Sequence, residues 1–331
     1  MSTIISSATL ANGLRTEFAD TYSSIRNRLA NSTLAKVMDL GIGATNRQHE
    51  FAYYEAAPHM ALWRRGDTIP TDAMKAVQFS TVVHNWGRRV PWHKDDRADD
   101  QTGSLFEVAR QAGESAGLLP ERFFFDLLQG TTTTLPAVPL APDGASMFAT
   151  TAGSANRFGV SNGNLLSGSG ITTLSAIKTD YYNAIEQWMA FQDGKGQPLF
   201  GREVLDAGVL IIHGSANTEV FEEAFLQQRQ GIVRGTDAGT TPTNVIKDAN
   251  RKVELWGTSR IADNDWYVFL LASPKLPTFL LDRQGVEEHT SLAGDNNGDH
   301  TRTTGEEYVQ WDCRQGAGIA LPYGCIKINN A

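Results

Sequence analysis

The densest group of titratable side chains in the sequence is His93 followed by Asp95, Asp96, Asp99 and Asp100. Carboxylates suit hard cations and imidazole suits transition metals, so such a group could hold a metal ion that activates water for hydrolysis. Its spacing matches no recognised ligand pattern. Carboxylates just before and within the first turn of a helix are favoured by the helix dipole without any metal. The run therefore reads as a solvated helix entry, and a metal-dependent hydrolase built on His93 is the rival reading.

Other short patterns fall away on the same kind of test. Asp295-Asn296-Asn297-Gly298-Asp299 resembles a calcium loop, but its glycine stands at the fourth position instead of the sixth, which leaves a polar turn. Ser167-Gly168-Ser169-Gly170 lacks the first glycine of a nucleophile elbow. Asp193-Gly194-Lys195-Gly196 has neither the glycine lead-in nor the hydroxyl after lysine that a phosphate loop needs. Arg65-Gly66-Asp67 is a tripeptide displayed by adhesion proteins, and Asn31-Ser32-Thr33 is a glycosylation sequon; both carry meaning only in an exported chain. His213 follows an apolar strand with no nucleophile or carboxylate placed beside it in sequence, and is read as a structural histidine. No catalytic, cofactor or metal site is expected.

The elements that would position any site are better defined. The chain has 331 residues, 41% of them apolar, enough for a sizeable core. Residues 1–13 lack the basic and apolar regions of a signal peptide. The strongest apolar runs, 209–212 and 266–272, are far short of the roughly 20 residues that cross a bilayer, so no membrane partner is expected. With 29 basic and 37 acidic residues, the net charge of −8 disfavours tight nucleic-acid binding. The two cysteines, Cys313 and Cys325, read as reduced buried thiols, with a bridge between late strands as the alternative.

Leu14, Phe18, Tyr22, Ile25 and Leu29 recur at spacings of three and four and predict an amphipathic helix over residues 13–34. Residues 49–63 and 75–92 are rich in β-prone aromatic and branched side chains and read as arms of a long hairpin, with Arg64, Arg65 and Asp67 at its tip. An alanine-rich helix is expected over 104–119, restarted at Pro120 and ended by Gly130. A further helix is predicted over 175–191, then a buried strand at 208–212 and a helix over 218–228. Strands are expected at 253–261, 266–271 and 278–281, a loop over 288–304, and two closing strands, 308–313 and 318–328, separated by a turn at Arg314-Gln315-Gly316-Ala317. The fold class is α+β.

Taken in order, several stretches resemble the Mu-like major head subunit family of tailed-bacteriophage capsid proteins, which have the HK97-type fold. The aromatic hairpin leads into Pro91-Trp92-His93-Lys94-Asp95-Asp96 and then the alanine-rich helix, similar to the family's extended loop and spine helix. Asp143-Gly144-Ala145-Ser146-Met147-Phe148 resembles the family's Asp-Gly-x-x-Phe-Phe segment, with Met147 at the first aromatic position. The strand and helix over 209–228 resemble the family's buried strand, loop and helix, with His213-Gly214-Ser215 where prolines are common. Asp263-Asn264-Asp265-Trp266-Tyr267, then Pro277-Thr278-Phe279 and Asp282-Arg283, are similar to its late strands, and 308–328 to its closing pair.

The resemblance implies an HK97-like major capsid fold, with its connection order open to rearrangement. Residues 1–45 would be an N-terminal arm, 46–95 an extended β-hairpin loop, 96–150 with 301–331 a peripheral domain carrying the spine helix, and 151–300 an axial domain. It implies a non-enzymatic head protein that self-assembles into hexamers and pentamers of an icosahedral shell around double-stranded DNA, which it touches non-specifically. An acidic wall suits that role. The partners implied are other copies of the chain, a portal, an optional cement or decoration protein, and a scaffolding protein, expected to be separate because the sequence opens at Met1 without a scaffolding segment. Assembly would occur in the host bacterial cytoplasm and end in the virion. Trp63, Trp86 and Trp92 would anchor the loop on a neighbour, while Arg64, Arg65 and Asp67 set register. An encapsulin-like nanocompartment shell of the same fold is the nearest alternative, distinguished by its cargo.

Overall fold

A computed structural model describes residues 7–54, 68, 76–93, 104–201, 206, 208–226, 252–271, 273, 275–292 and 306–330. In chain order its elements are α1 (Ser7–Ala30), β1 (Met38–Gly43), β2 (Gln48–Tyr54), β3 (Ala76–Val82), β4 (His84–His93), α2 (Ser104–Gly117) and α3 (Leu119–Gln129). Then come β5 (Thr151–Ala152), β6 (Ala155–Asn156), β7 (Leu165–Ser167), α4 (Leu174–Ala190), β8 (Val209–Gly214) and α5 (Thr218–Phe225). The last elements are β9 (Val253–Thr258), β10 (Trp266–Leu270), β11 (Thr278–Ser291), β12 (Glu306–Ile319) and β13 (Cys325–Asn329). The chain divides into two compact units, one of residues 1–49, 80–138 and 279–318, the other of 50–79, 139–278 and 319–331.

The first unit is a four-stranded sheet, ordered β1-β11-β12-β4, with helices on one face. Side chains alternate across a strand, so β12 turns Val309, Trp311 and Cys313 inward while Tyr308, Gln310, Asp312 and Arg314 face the other way. Leu10, Leu14 and Phe18 of α1 and Ala109 and Ala112 of α2 join Val90, Trp92, Val309 and Trp311 in one core. Phe18 lies flat on Trp311, with ring centroids 4.3 Å apart. The helical stripe read from the sequence is the buried one, although α1 begins six residues earlier than its period indicates and gives way to a 3-10 turn at Thr33–Lys36, capped by Ser32.

Small residues let the two helices approach closely. A methyl group at Gly113 would stand 2.7 Å from the Phe18 carbonyl oxygen, and one at Gly117 would stand 2.7 Å from Ile25 Cβ. After α2, Pro120 sits in the first turn of α3, where its missing N–H costs nothing. Gly130 ends α3 in the left-handed conformation at φ 67°, sending its N–H to the Asp126 carbonyl. The buried Asp126 carboxylate takes the next loop in hand, accepting from the Thr134 and Leu135 amides at 2.6 and 2.7 Å.

The second unit is built on a mixed sheet ordered β7-β13-β10-β8-β9. Strands β8 and β10 are buried along their whole length, which is why both read as unbroken apolar runs. One face packs Val209, Ile211, Trp266, Val268, Ile326 and Ile328 against Tyr181, Ala184 and Trp188 of α4 and Phe221 and Phe225 of α5. Thr173 starts α4 by accepting from the Ala176 amide.

Several sequence expectations are corrected. Residues 288–291 are the end of β11, an inner strand of the four-stranded sheet, and not part of a loop; Arg15 of α1 pairs with Glu288 there. Residues 314–317 continue β12 instead of turning: Gly316 is needed there because a Cβ would lie 2.5 Å from the Val82 carbonyl oxygen. The last two strands do not pair with each other, since β12 belongs to the four-stranded sheet and β13 to the five-stranded one. Of the expected hairpin, Gln48–Tyr54 and Ala76–Val82 pair as β2 and β3, with Phe51 stacked on Phe79 at 5.1 Å, but residues 84–92, expected in the same arm, form β4 and pair with β12 instead, while 55–63 lie outside the described residues.

Candidate functional site

Of the six residues expected to make assembly contacts, Trp63, Arg64, Arg65 and Asp67 lie outside the described residues. Trp86 and Trp92 stand on β4, two of its helix-facing positions. Trp92 is 4% exposed and its indole donates to Glu307 Oε2 at 2.7 Å, across the pair that β4 makes with β12. Trp86 is half-buried, donates to the Gln315 carbonyl at 2.9 Å and leans on Phe123 of α3 at 5.1 Å. It also lines a cavity of about 460 Å³ whose other walls include Phe18, Leu119 and Trp311. Both tryptophans therefore hold β4 to its own unit.

The uncovered face of the same sheet is polar and internally paired. Arg89 lies 4.0 Å over the Tyr308 ring and donates to Gln310 Oε1 at 3.0 Å, and His289 meets Asp312 at 3.0 Å. Such pairs fix side-chain positions on a surface that remains open to solvent.

The principal polar centre of the second unit was not singled out in the sequence. Arg157 is 1% exposed and grips Asp143 with two donors, Nε to Oδ2 at 2.6 Å and Nη2 to Oδ1 at 3.1 Å. Its Nη1 reaches the Ser146 and Met147 carbonyls and Asn164 Oδ1 at 2.8–3.0 Å. Asn164, fully buried, donates in turn to the carbonyls of Met147, Pro322 and Cys325. One guanidinium and one amide thus clamp the 143–149 loop onto the segment that leads into β13. The only sequence signal for it was Asp143, the first residue of the Asp-Gly-x-x-Phe-Phe-like segment. Beside Arg157, Phe158 adopts φ 55°, rare for a bulky side chain, and is held there by ring packing on Phe191 at 4.9 Å.

The patterns tested for chemistry resolve into structural roles. Ser169 donates its hydroxyl to Asp180 at 2.7 Å. Asp193 accepts from the amides of Lys195 and Gln197, closing a turn. Cys313 and Cys325 are both buried and unbridged, and burial pushes the Cys313 thiol up to about 11. His93 ends β4 opposite Glu306, while Asp95, Asp96, Asp99 and Asp100, like residues 295–299, lie outside the described residues. Among the described residues no group of three or more His, Cys, Asp or Glu could hold a metal ion, and no helix is long and apolar enough to cross a membrane.

His213 is 1% exposed, stacks on Phe221 at 4.4 Å, and has its Nδ1 2.9 Å from the Gly214 carbonyl. Burial pushes its imidazole below the usual range. The unfolded chain therefore binds the proton more tightly, so the stabilisation is complete above about pH 6.5 and is lost as pH falls toward the folded value. Stability of the five-stranded unit should fall on acidification by at most about 1.4 kcal/mol per pH unit from this group. His213→Phe should flatten that slope in amide-exchange measurements of β8, and an unchanged slope would contradict the assignment.

Solved structures place this architecture. The chain is similar to the capsid of cyanophage P-SCSP1u, at 12% identity over 88% of this chain and 87% of that one, with a TM-score of 0.54. It is similar to the capsid of Myoviridae phage XM1, at 10% identity over 90% and 91%, with a TM-score of 0.54. It also resembles the chain from Microbacterium phage Oxtober96, at 13% identity over 91% of each chain, with a TM-score of 0.53. No curated protein matches. The two α+β units therefore form an HK97-type capsid fold. The chain belongs to the phage capsid protein family, whose model matches residues 77–328; it is a major capsid protein.

Proposed function

We propose that the chain is the major head subunit of a tailed bacteriophage of the Mu-like type, assembling as hexamers and pentamers into an icosahedral shell around double-stranded DNA. The observation that carries this reading is the family match over residues 77–328 together with the HK97-type fold of both units. The order of the aromatic hairpin, the alanine-rich helix and the Asp143 segment supports the Mu-like assignment.

In this reading residues 1–45 are the arm, and the extended loop is the part of 46–95 that precedes β4, since β4 pairs with β12. The rest of the unit carrying α2 is the peripheral domain and the rest of the unit carrying the five-stranded sheet is the axial domain. The axial boundary is moved to where the chain passes between the compact units, so that β13 counts with the axial sheet. Trp63, Arg64, Arg65 and Asp67 meet a neighbouring subunit at the loop tip, while Trp86 and Trp92 support the strand from which the loop departs. The subunit works by association and not by catalysis. Its partners are other copies of itself, a scaffolding protein, a portal and an optional decoration protein, with assembly in the host cytoplasm. Several modest contacts per subunit give a closed shell its stability without any single tight pair.

The test is the composition of nuclease-treated phage particles. The chain is expected to be their most abundant protein, around protected duplex DNA. Its absence from such particles, or an enzyme cargo in place of DNA, would contradict the reading.

A further inference from the structure

Three arginines of the four-stranded unit converge on one hollow. A cavity of about 270 Å³ at the start of β4 is lined by Arg47, Val83, His84, Asn85, Arg283 and Arg314, with no carboxylate among its described walls. Its frame is main chain. The Arg47 carbonyl accepts from the Val83 amide at 2.8 Å, and the Ala44 amide donates to the Asp282 carbonyl at 3.0 Å, so the loop between β1 and β2 is pinned to the start of β4 and to β11. Arg314 is the cross-strand partner of Asn85, and Arg283 lies on β11 on the same solvent-facing side as Arg314.

The hollow has no counter-ion among the described residues. The flanking carboxylates of β11 and β12 are engaged elsewhere, Asp282 4.0 Å from Arg26 and Asp312 3.0 Å from His289, and no ion pair reaches Arg47, Arg283 or Arg314. Burial and the charge of Arg47 hold the His84 imidazole below its usual range, as expected where positive charge gathers without a balancing anion. The other groups that face His84 are Arg283 and Arg314 across the cavity and the edge of the Trp86 ring, 6.4 Å away.

Holding like charges together costs free energy that a bound anion returns. Guanidinium forks match carboxylate and phosphate oxygens through paired N–H donors. A carboxylate offers two oxygens in one plane, which a single fork occupies, whereas arginines from a loop and two strands suit the tetrahedrally arranged oxygens of phosphate. The volume lies just under the range of about 300–1,000 Å³ that holds drug-sized ligands, which favours a small anion.

We propose that this cavity binds a phosphate group, gripped by Arg47, Arg283 and Arg314. Arg47 stands just before β2 and His84 just after β3, so the bound anion clasps the two ends of the β2–β3 segment where it leaves and re-enters the four-stranded unit. The site belongs to that unit alone, and binding to it does not depend on the shell reading.

The test is a titration of the full, unassembled chain with inorganic phosphate, against sodium chloride of equal ionic strength, followed by the amide and His84 ring resonances. Saturation is expected at about 1–10 mM phosphate. The Arg47, Val83 and Asn85 amides should shift, and the His84 titration should rise, because a bound anion favours the charged imidazole. Arg283→Gln with Arg314→Gln should weaken binding at least about tenfold, and Arg47→Gln, on an exposed loop, should weaken it as well without touching the core. Arg28→Gln on α1 should leave it unchanged. Shifts that chloride reproduces, or phosphate affinity that survives in the folded arginine variants, would overturn the proposal.

A duplex DNA oligomer separates the two sources of such a group. Competition with inorganic phosphate that disappears in the double variant assigns the phosphate to a DNA backbone, and inorganic phosphate bound without competition from the duplex assigns it to a free phosphate; either outcome supports the site. A hexaglutamate peptide that displaces phosphate at a lower concentration of anionic groups would make the hollow a carboxylate site and overturn the assignment.

Discussion

Arg157→Leu is expected to destabilise the five-stranded unit by about 3 kcal/mol, the lower end of the cost of removing one partner from a buried charge pair, because the Asp143 side chain left behind is 21% exposed. The leucine fills much of the space but withdraws the guanidinium from the Asp143 carboxylate, the Ser146 and Met147 carbonyls and Asn164 Oδ1, leaving Asp143 with the Ala145 amide, Met147 with Asn164 Nδ2 and Asn164 Oδ1 with the Ala149 amide. An unsatisfied buried polar group costs roughly 1–3 kcal/mol, but these four acceptors share one guanidinium and three keep another donor, so the losses are not simply additive. Arg157→Lys should recover only part of the stability, because an ammonium cannot span Asp143 and the carbonyls at once. Amide exchange in β10 and β13 reads the unit by itself, which avoids treating a two-unit chain as a single two-state transition. Unchanged protection in Arg157→Leu would show that the clamp is incidental to the fold.

Gly113→Leu tests the other unit. On helix propensity alone the change should stabilise α2 by up to about 1 kcal/mol. The first added carbon, however, stands 2.7 Å from the Phe18 carbonyl oxygen and 3.2 Å from Thr21 Cβ, and a main-chain oxygen cannot rotate aside. Relief requires α1 to move off α2, withdrawing Phe18 from Trp311, and overpacking of this kind costs about 1–3 kcal/mol before that stacking is counted. The expected result is a lower melting point and faster amide exchange along α1. A rise in stability would mean that the helices are not held as closely as the glycines imply.

These two sites also show what the sequence can and cannot reveal. The α1 stripe, the alanine-rich α2, the Pro120 restart and the Gly130 stop are local consequences of side-chain period and backbone chemistry, and all are visible in the linear order. The buried strands β8 and β10 were equally legible, because a strand covered on both faces has no polar alternation to obscure it. The far half of β11 was not. Its inward positions are Gln284, Val286, Glu288 and Thr290, mostly polar, and Glu288 meets its partner Arg15 only in the folded chain, 273 residues away. The turn expected at residues 314–317 failed for the complementary reason, since Gly316 serves a close approach to Val82 instead of a change of direction. Arg157 lies in a polar stretch that reads as loop, and only the folded chain brings Asp143, Asn164 and the entry to β13 around it.

Cryo-electron microscopy of the chain, purified alone and after coexpression with the phage head proteins, tests the central claim most directly. The account predicts rings or closed shells with fivefold and sixfold capsomers, each subunit showing the four-stranded unit with α1 and α2 and the five-stranded unit with α4 and α5. A folded chain that stays a monodisperse monomer under both conditions would contradict it.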